Sequence, residues 1–303
     1  MRQGFSLKIA DHLATLDRRA FLKQVTLGVV HMTALSALGK GVQEGAAKTA
    51  AMPVIFVGHG NPMNAVEDNA FSRAWLALGK ALPRPSAILC VSAHWETDGT
   101  RVTAMPRPRT IHDFWGFPQE LYKKQYPAPG SLEWAERTRK LLRGARVEPD
   151  TEWGLDHGTW APLCRMFPGA DVPVFQLSLD RTRPARYHYD LGRELAPLRR
   201  SGLLIVGSGN MVHNLGLMEW TDKPFAWATA FDERLKDLIV RRDHEALIRY
   251  DALGPEAKLA IPTNEHYLPL LYALALQGQN EPIRFFTEDV SLGSISMRGF
   301  QIG

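Results

Sequence analysis

The chain has 303 residues, 45% of them hydrophobic, with 36 basic and 32 acidic side chains and two cysteines. That is enough apolar material for one large domain, and two cysteines exclude a disulfide framework or a zinc–thiolate centre. Residues 1–47 hold six basic against three acidic groups, so the remaining body is nearly neutral and offers no electrostatic case for nucleic-acid binding.

The first segment reads as a targeting signal. Asp17-Arg18-Arg19-Ala20-Phe21-Leu22-Lys23 is a twin-arginine pattern, followed by a modestly apolar stretch from Val25 to Leu38. That stretch is shorter than the roughly 20 apolar residues a membrane span needs. Residues 1–51 are therefore expected to be an export signal and spacer, recognised by the twin-arginine translocase and sending the protein to the periplasm. The competing expectation is an amphipathic helix belonging to the fold.

From residue 52 onward strands and helices alternate. Apolar runs predict strands over 53–57, 87–92, 172–179, 203–208, 283–287 and 294–301. Amphipathic spacing predicts helices over 70–82, 131–143, 158–167, 184–200, 224–249 and 265–277. The stretch 105–130 is rich in proline, glycine and aromatics and reads as a long ordered loop. The alternation implies an α/β fold: one layered domain over 52–303, with a central, mostly parallel sheet flanked by helices and a final antiparallel strand pair. Cys90 falls in a strand and Cys164 in a helix, both expected to be buried and free.

Six segments near element ends carry a histidine: Gly58-His59-Gly60, Ala93-His94-Trp95, His112-Asp113, Asp156-His157, Val212-His213-Asn214 and Glu265-His266. Ligands of open α/β sheets collect at the carboxyl ends of strands, so His59 and His94, each leaving an apolar strand, are metal-ligand candidates. Glycines flanking His59 would let the chain turn sharply and expose the ring. Trp95 would wall a pocket. Gly207-Ser208-Gly209 reads as a loop that must approach another group closely, since the rest of a dinucleotide fingerprint is missing. Asp156-His157 is read equally as an acid–base pair or as a helix cap, and His112-Asp113 as a substrate contact or a loop-fixing pair. Glu265 beside His266 leaves open a two-histidine, one-carboxylate facial triad. His188 and His244 are placed on helix surfaces and, like His12 and His31, are given no role.

These segments resemble the class III extradiol ring-cleaving dioxygenases, in the DOPA-type (4,5-DOPA extradiol dioxygenase) branch. The resemblance spans 52–303. It rests on Gly58-His59-Gly60-x-Pro62-Met63-Asn64, Val91-Ser92-Ala93-His94-Trp95, Thr110-Ile111-His112-Asp113-Phe114-x-Gly116-Phe117-Pro118 and Tyr126-Pro127-Ala128-Pro129-Gly130. It continues through Asp156-His157-Gly158-x-Trp160, Ser208-Gly209-Asn210-x-Val212-His213-Asn214-Leu215 and Glu265-His266-Tyr267-Leu268-Pro269-Leu270. Asn61 stands where the branch leads one to expect serine. The resemblance implies that His59, His94 and His266 bind one divalent metal, with His213 as acid–base residue and fourth-ligand candidate. It places His157 in the substrate pocket, which His112, Asp113 and Trp95 would complete. Ferrous iron is the expected working metal, because zinc is redox-silent; zinc is an alternative, inactive occupant. The implied reaction takes a catechol and dioxygen to a muconic semialdehyde, with His213, at a pKa near neutrality, accepting and returning a proton. A zinc hydrolase and a non-catalytic metal-binding protein are the rival readings, because a three-histidine site and a fold do not by themselves fix chemistry.

Overall fold

The structure, a computed structural model, describes residues 50–221 and 223–303, so the twin-arginine segment lies outside the described residues. Its framework is a six-stranded sheet of β1 (Val54–Gly58), β2 (Ala87–Ser92), β3 (Val174–Gln176), β4 (Leu203–Gly209), β5 (Ile283–Phe286) and β6 (Gly299–Ile302), in the order β3-β2-β4-β1-β6-β5. The first four strands run parallel, and β6 pairs antiparallel with both β1 and β5. The expected mostly parallel sheet and the antiparallel final pair are both present.

Both faces of the sheet are buried, which is why its strands read as continuous apolar runs rather than alternating ones. Val54, Phe56, Leu89, Val91, Leu203 and Ile205 join one core cluster, whereas Ile55, Val57, Ile88, Cys90, Leu204 and Val206 join the other. Each such fully buried aliphatic contributes on the order of 1.5–3 kcal/mol. One face is covered by α1 (Ala70–Ala81) and α3 (His157–Met166), which pack on each other. On the other lie α4 (Ala185–Glu194) and α6 (Leu268–Ala275), likewise paired. Helices α2 (Leu132–Leu141) and α5 (Ala226–Val240) complete the layers.

Several expected elements are divided. The 172–179 strand breaks into β3 and a two-residue strand, Leu179–Asp180. The 184–200 helix breaks before Ala196–Arg199, whose second residue is Pro197. The 224–249 helix stops at Val240, and Asp243 caps a separate turn, His244–Ile248, by accepting from Ala246 N. Helix α6 begins later than expected, at Leu268, with Pro269 in its first turn. Two further parallel pairs, Glu96–Thr97 with Leu179–Asp180 and Thr100–Thr103 with Val147–Asp150, were not legible in the sequence. His188 is a correction: it is buried on α4 and hydrogen-bonds Tyr272 on α6, because α4 presents that face to its neighbour. Cys90 and Cys164 are buried and free, as expected.

Gly207 and Gly209 lie in β4 itself rather than in a loop, but the close approach they were read to permit is there. A Cβ on Gly209 would fall 2.1 Å from His266 O, and one on Gly207 would fall 2.4 Å from Pro269 O. The strand end and the segment carrying His266 touch backbone to backbone, and Asn210 N donates to His266 O at 2.8 Å. Gly209→Ala is therefore expected to cost about 2–4 kcal/mol in urea unfolding, since backbone rather than a side-chain tip must yield. Gly99→Ala, whose Cβ meets nothing within 4 Å despite a positive φ, should cost only about 1–2 kcal/mol. Equal losses at the two positions would contradict this account.

Candidate metal centre and active site

The parallel strands β1, β4 and β2 lie side by side, and the residues leaving their carboxyl ends are pinned together. His59 N donates to Gly209 O at 3.1 Å, and Ala93 N donates to Ser208 O at 3.0 Å. The sheet thus brings residues from positions 59, 94 and 210 of the chain to one edge, and Asn210 holds His266 there. The rings converge accordingly. His59 and His94 have centroids 4.9 Å apart, and His266 lies 5.3 and 5.0 Å from them. His157 stands 3.9 Å from His94 and 5.5 Å from His59. His213 stacks on His266 at 3.5 Å.

The outer nitrogens assign the tautomers. Ser208 Oγ donates to Gly158 O, so it offers His59 Nδ1, 3.0 Å away, only a lone pair, and that nitrogen carries the hydrogen. His266 Nδ1 faces Glu265 Oε1 at 2.9 Å. His94 Nδ1 faces Asp113 Oδ2 at 3.4 Å. Carboxylates only accept, so Nε2 is bare on His59 and His266, and the Asp113 carboxylate, near His94 Nδ1 but not hydrogen-bonded to it, favours the same tautomer there. Yet His59 Nε2 and His94 Nε2 lie 3.1 Å apart. With both nitrogens bare the lone pairs repel unless a cation lies between them; without one, the two rings close on a single hydrogen bond.

A proton does not fill that role, because burial holds His59 and His94 well below the ordinary histidine pKa, and neighbouring histidines add to the effect. Burial also lowers His266, against the opposing pull of Glu265. The charges at the periphery are anionic. Burial pushes Glu265 up, but contacts with His266, helped by hydrogen bonds from backbone and Thr263, outweigh it and hold the group at about 2. Burial likewise opposes ionisation of Asp113, and contacts with His157 overcome it. Neutral imidazoles backed by two carboxylates suit a divalent cation, and a separation of 3.1 Å is what two adjacent ligands span at bond lengths of about 2.0–2.1 Å. Among the described residues, potential ligand atoms form two groups, His59–His94–His157 and His213–Glu265–His266, each with all its ligand atoms within 4.8 Å of one another.

Other expected site residues fall into distinct places. His59 is buried rather than exposed, and its flanking glycines instead admit Met297, whose nearest atom would lie 2.7 Å from a Cβ on Gly58 and 2.2 Å from one on Gly60. Asn61 accepts from Met63 N and caps the turn Pro62–Ala65, a duty that serine shares. Asp156 is the cap of α3, accepting from Thr159 N, and is further held by Ser92 and Gln176. It does not pair with the His157 ring, whose Nδ1 lies 3.0 Å from Asp113 Oδ2 without an aligned hydrogen bond. His112 Nε2 bonds Lys124 O at 2.9 Å, so it fixes the proline-rich loop. Trp95 is buried and stacks on Trp153. His213 departs from the near-neutral expectation: burial, then His266, lowers it to about 2, so it is neutral and, in these surroundings, a weak base.

Sequence reasoning missed two residues. Ser208 was given no role of its own within the Gly207-Ser208-Gly209 segment, although a hydroxyl at the end of an apolar strand is itself a signal. Half-buried Phe114 meets His157 edge-on at 5.6 Å and Trp160 at 6.3 Å, lining the His157 side with an aromatic face.

Comparison with known proteins gives this geometry a lineage. The family described as the catalytic LigB subunit of aromatic ring-opening dioxygenase matches residues 45–296. A 4,5-DOPA dioxygenase extradiol from Escherichia coli (strain K12) is 49% identical over 259 residues, covering 83% of this chain and 95% of that protein. Its counterpart from Beta vulgaris is 42% identical over 232 residues, covering 74% and 87%. The crystal structure of an uncharacterized protein from Escherichia coli K12 aligns with a TM-score of 0.74 at 45% identity, covering 83% of this chain and 100% of that one. The chain belongs to the LigB family and is a class III extradiol ring-opening dioxygenase.

Proposed function

We propose that the chain opens the ring of a DOPA-like catechol at a single divalent metal held by His59, His94 and His266. The inward-turned Nε2 atoms of His59 and His94, 3.1 Å apart, carry the metal assignment. His266 completes the set because its ring is near-equidistant from both and has its own carboxylate, Glu265. Glu265 is thereby an orienting partner, which weighs against a two-histidine, one-carboxylate triad. The names of the relatives support a DOPA-like substrate.

Ferrous iron, when bound, supplies the electron path between a catecholate and dioxygen that redox-silent zinc lacks. His213 takes a substrate hydroxyl proton at its ring nitrogen and returns it as the ring opens. His157 Nε2 accepts from a substrate hydroxyl, since Asp113 lies on its Nδ1 side. Phe114 supplies an apolar face beside it. Both oxygen atoms of dioxygen enter the product, a muconic semialdehyde.

The purified chain, loaded anaerobically with ferrous iron and then given oxygen and L-DOPA, should consume oxygen and form a yellow product, while zinc-loaded protein should not. In the same assay His213→Ala should lose about 10²–10⁴-fold in kcat while holding metal as the parent does. No uptake at full iron occupancy across a catechol panel contradicts the substrate and metal reading, and retained turnover in the variant contradicts the role of His213.

The lowered histidines also set a pH dependence. In the unfolded chain these rings titrate near 6.5, whereas burial keeps His59, His94, His213 and His266 neutral to lower pH in the folded one. As pH falls below about 6.5 the unfolded state gains protons that the folded state does not, so stability falls. The melting temperature of the metal-free protein should be flat above about pH 7.5 and decline between about 6.5 and 5, above the usual carboxylate range. A constant value across that window contradicts the burial argument.

We further propose that residues 1–51 form a twin-arginine export signal and spacer, with 52–303 as the catalytic domain. Support comes from Arg18-Arg19, the apolar run after them and the start of the family match at residue 45. Replacing Arg18 and Arg19 by lysine should leave the protein in the cytoplasmic fraction of a host with this pathway. Unchanged periplasmic recovery contradicts the assignment.

A further inference from the structure

Asp113 comes from a loop that is pinned on both sides of it. Ile111 N donates to Leu155 O at 2.7 Å, Leu155 N donates to Arg109 O at 2.8 Å, and Trp160 Nε1 donates to Ile111 O at 2.8 Å. Beyond Asp113 the loop is tied back by His112 to Lys124 O. A backbone already ordered by prolines and these bonds loses little further entropy in presenting one side chain.

That side chain meets two rings at once. Oδ1 accepts from His157 N at 2.9 Å. Oδ2, buried, lies 3.0 Å from His157 Nδ1 and 3.4 Å from His94 Nδ1. The two histidines come from different elements, one following β2 and the other opening α3, and their rings are 3.9 Å apart. Neither contact is an aligned hydrogen bond, but an acceptor-only oxygen this close to both outer nitrogens favours a hydrogen on each, which leaves both Nε2 atoms bare.

We propose that Asp113 is a positioning residue for two histidines together, holding His94 Nε2 open to the metal and His157 Nε2 open to a substrate oxygen. This rests on the metal reading above and goes beyond it: one carboxylate serves metal binding and substrate binding, and the proline-rich loop exists in part to deliver it. The chemistry of the amide isostere follows. Asparagine keeps an acceptor for His157 N but turns an NH₂ group toward the two Nδ1 atoms. Each ring then relieves the donor–donor clash by moving its hydrogen to Nε2, where it blocks metal and substrate.

The full chain and its Asp113→Asn variant are compared by Co(II) binding in competition with a chelator, by the visible Co(II) spectrum, and by kcat and KM of the iron-loaded forms. Co(II) affinity should fall about 10–100-fold, the range for losing the outer partner of a metal-bound histidine. The spectrum should shift and kcat should fall, while the metal-free melting temperature stays near that of the parent. Unchanged affinity and spectrum with only KM raised would make Asp113 a simple substrate contact and overturn the proposal. A second measurement does not depend on the variant folding: long-range proton–nitrogen NMR of the parent should show His157 with its hydrogen on Nδ1. Hydrogen on Nε2 overturns the proposal. A parent that binds no Co(II) defeats the metal reading instead, and the His157 tautomer still decides whether Asp113 holds that ring.

Discussion

The site depends on where three imidazole hydrogens are held. Ser208, Asp113 and Glu265 each face an outer Nδ1 atom, and a ring with Nδ1 so occupied turns a bare Nε2 inward. Burial then removes the other escape, protonation, by making a charged imidazole costly. Neutral lone pairs facing one another at about 3 Å are a standing demand for a cation. Much of the surrounding sequence serves that demand, down to the two glycines that let His266 approach the end of β4.

The sheet order explains how distant residues satisfy it. Because β4 is inserted between β1 and β2, the loops after all three strands leave from one edge, the place where open parallel sheets gather ligands. The antiparallel β6 lies on the other side of β1 and brings Met297 against the glycines around His59. The antiparallel addition thus walls the site while the parallel core supplies its ligands.

The buried strands were legible because both faces of the sheet are covered, which leaves uninterrupted apolar runs such as Ala87-Ile88-Leu89-Cys90-Val91. Histidines at their ends stood out against that background. Divisions inside helices were not legible: the stop at Val240 depends on Asp243 capping a new turn, and the late start of α6 depends on where Pro269 falls. Roles of charged residues were the least legible. Asp156 and His157 are adjacent in sequence, yet the aspartate turns into the core to cap α3 while His157 meets Asp113, 44 residues away, through its backbone N and its ring. Adjacency on a chain that enters a helix separates side chains by about 100°, so a neighbouring acid is rarely the partner. Glu265 and His266 are the exception, because they sit in the turn before α6 rather than in it.

Anomalous diffraction from crystals loaded with ferrous iron, recorded at the iron edge, tests the central claim most directly. The account predicts one peak at bonding distance from Nε2 of His59, His94 and His266, with Glu265 on Nδ1 of His266. A peak bound by His157 in place of His266, or one lying between His213 and Glu265, would contradict it.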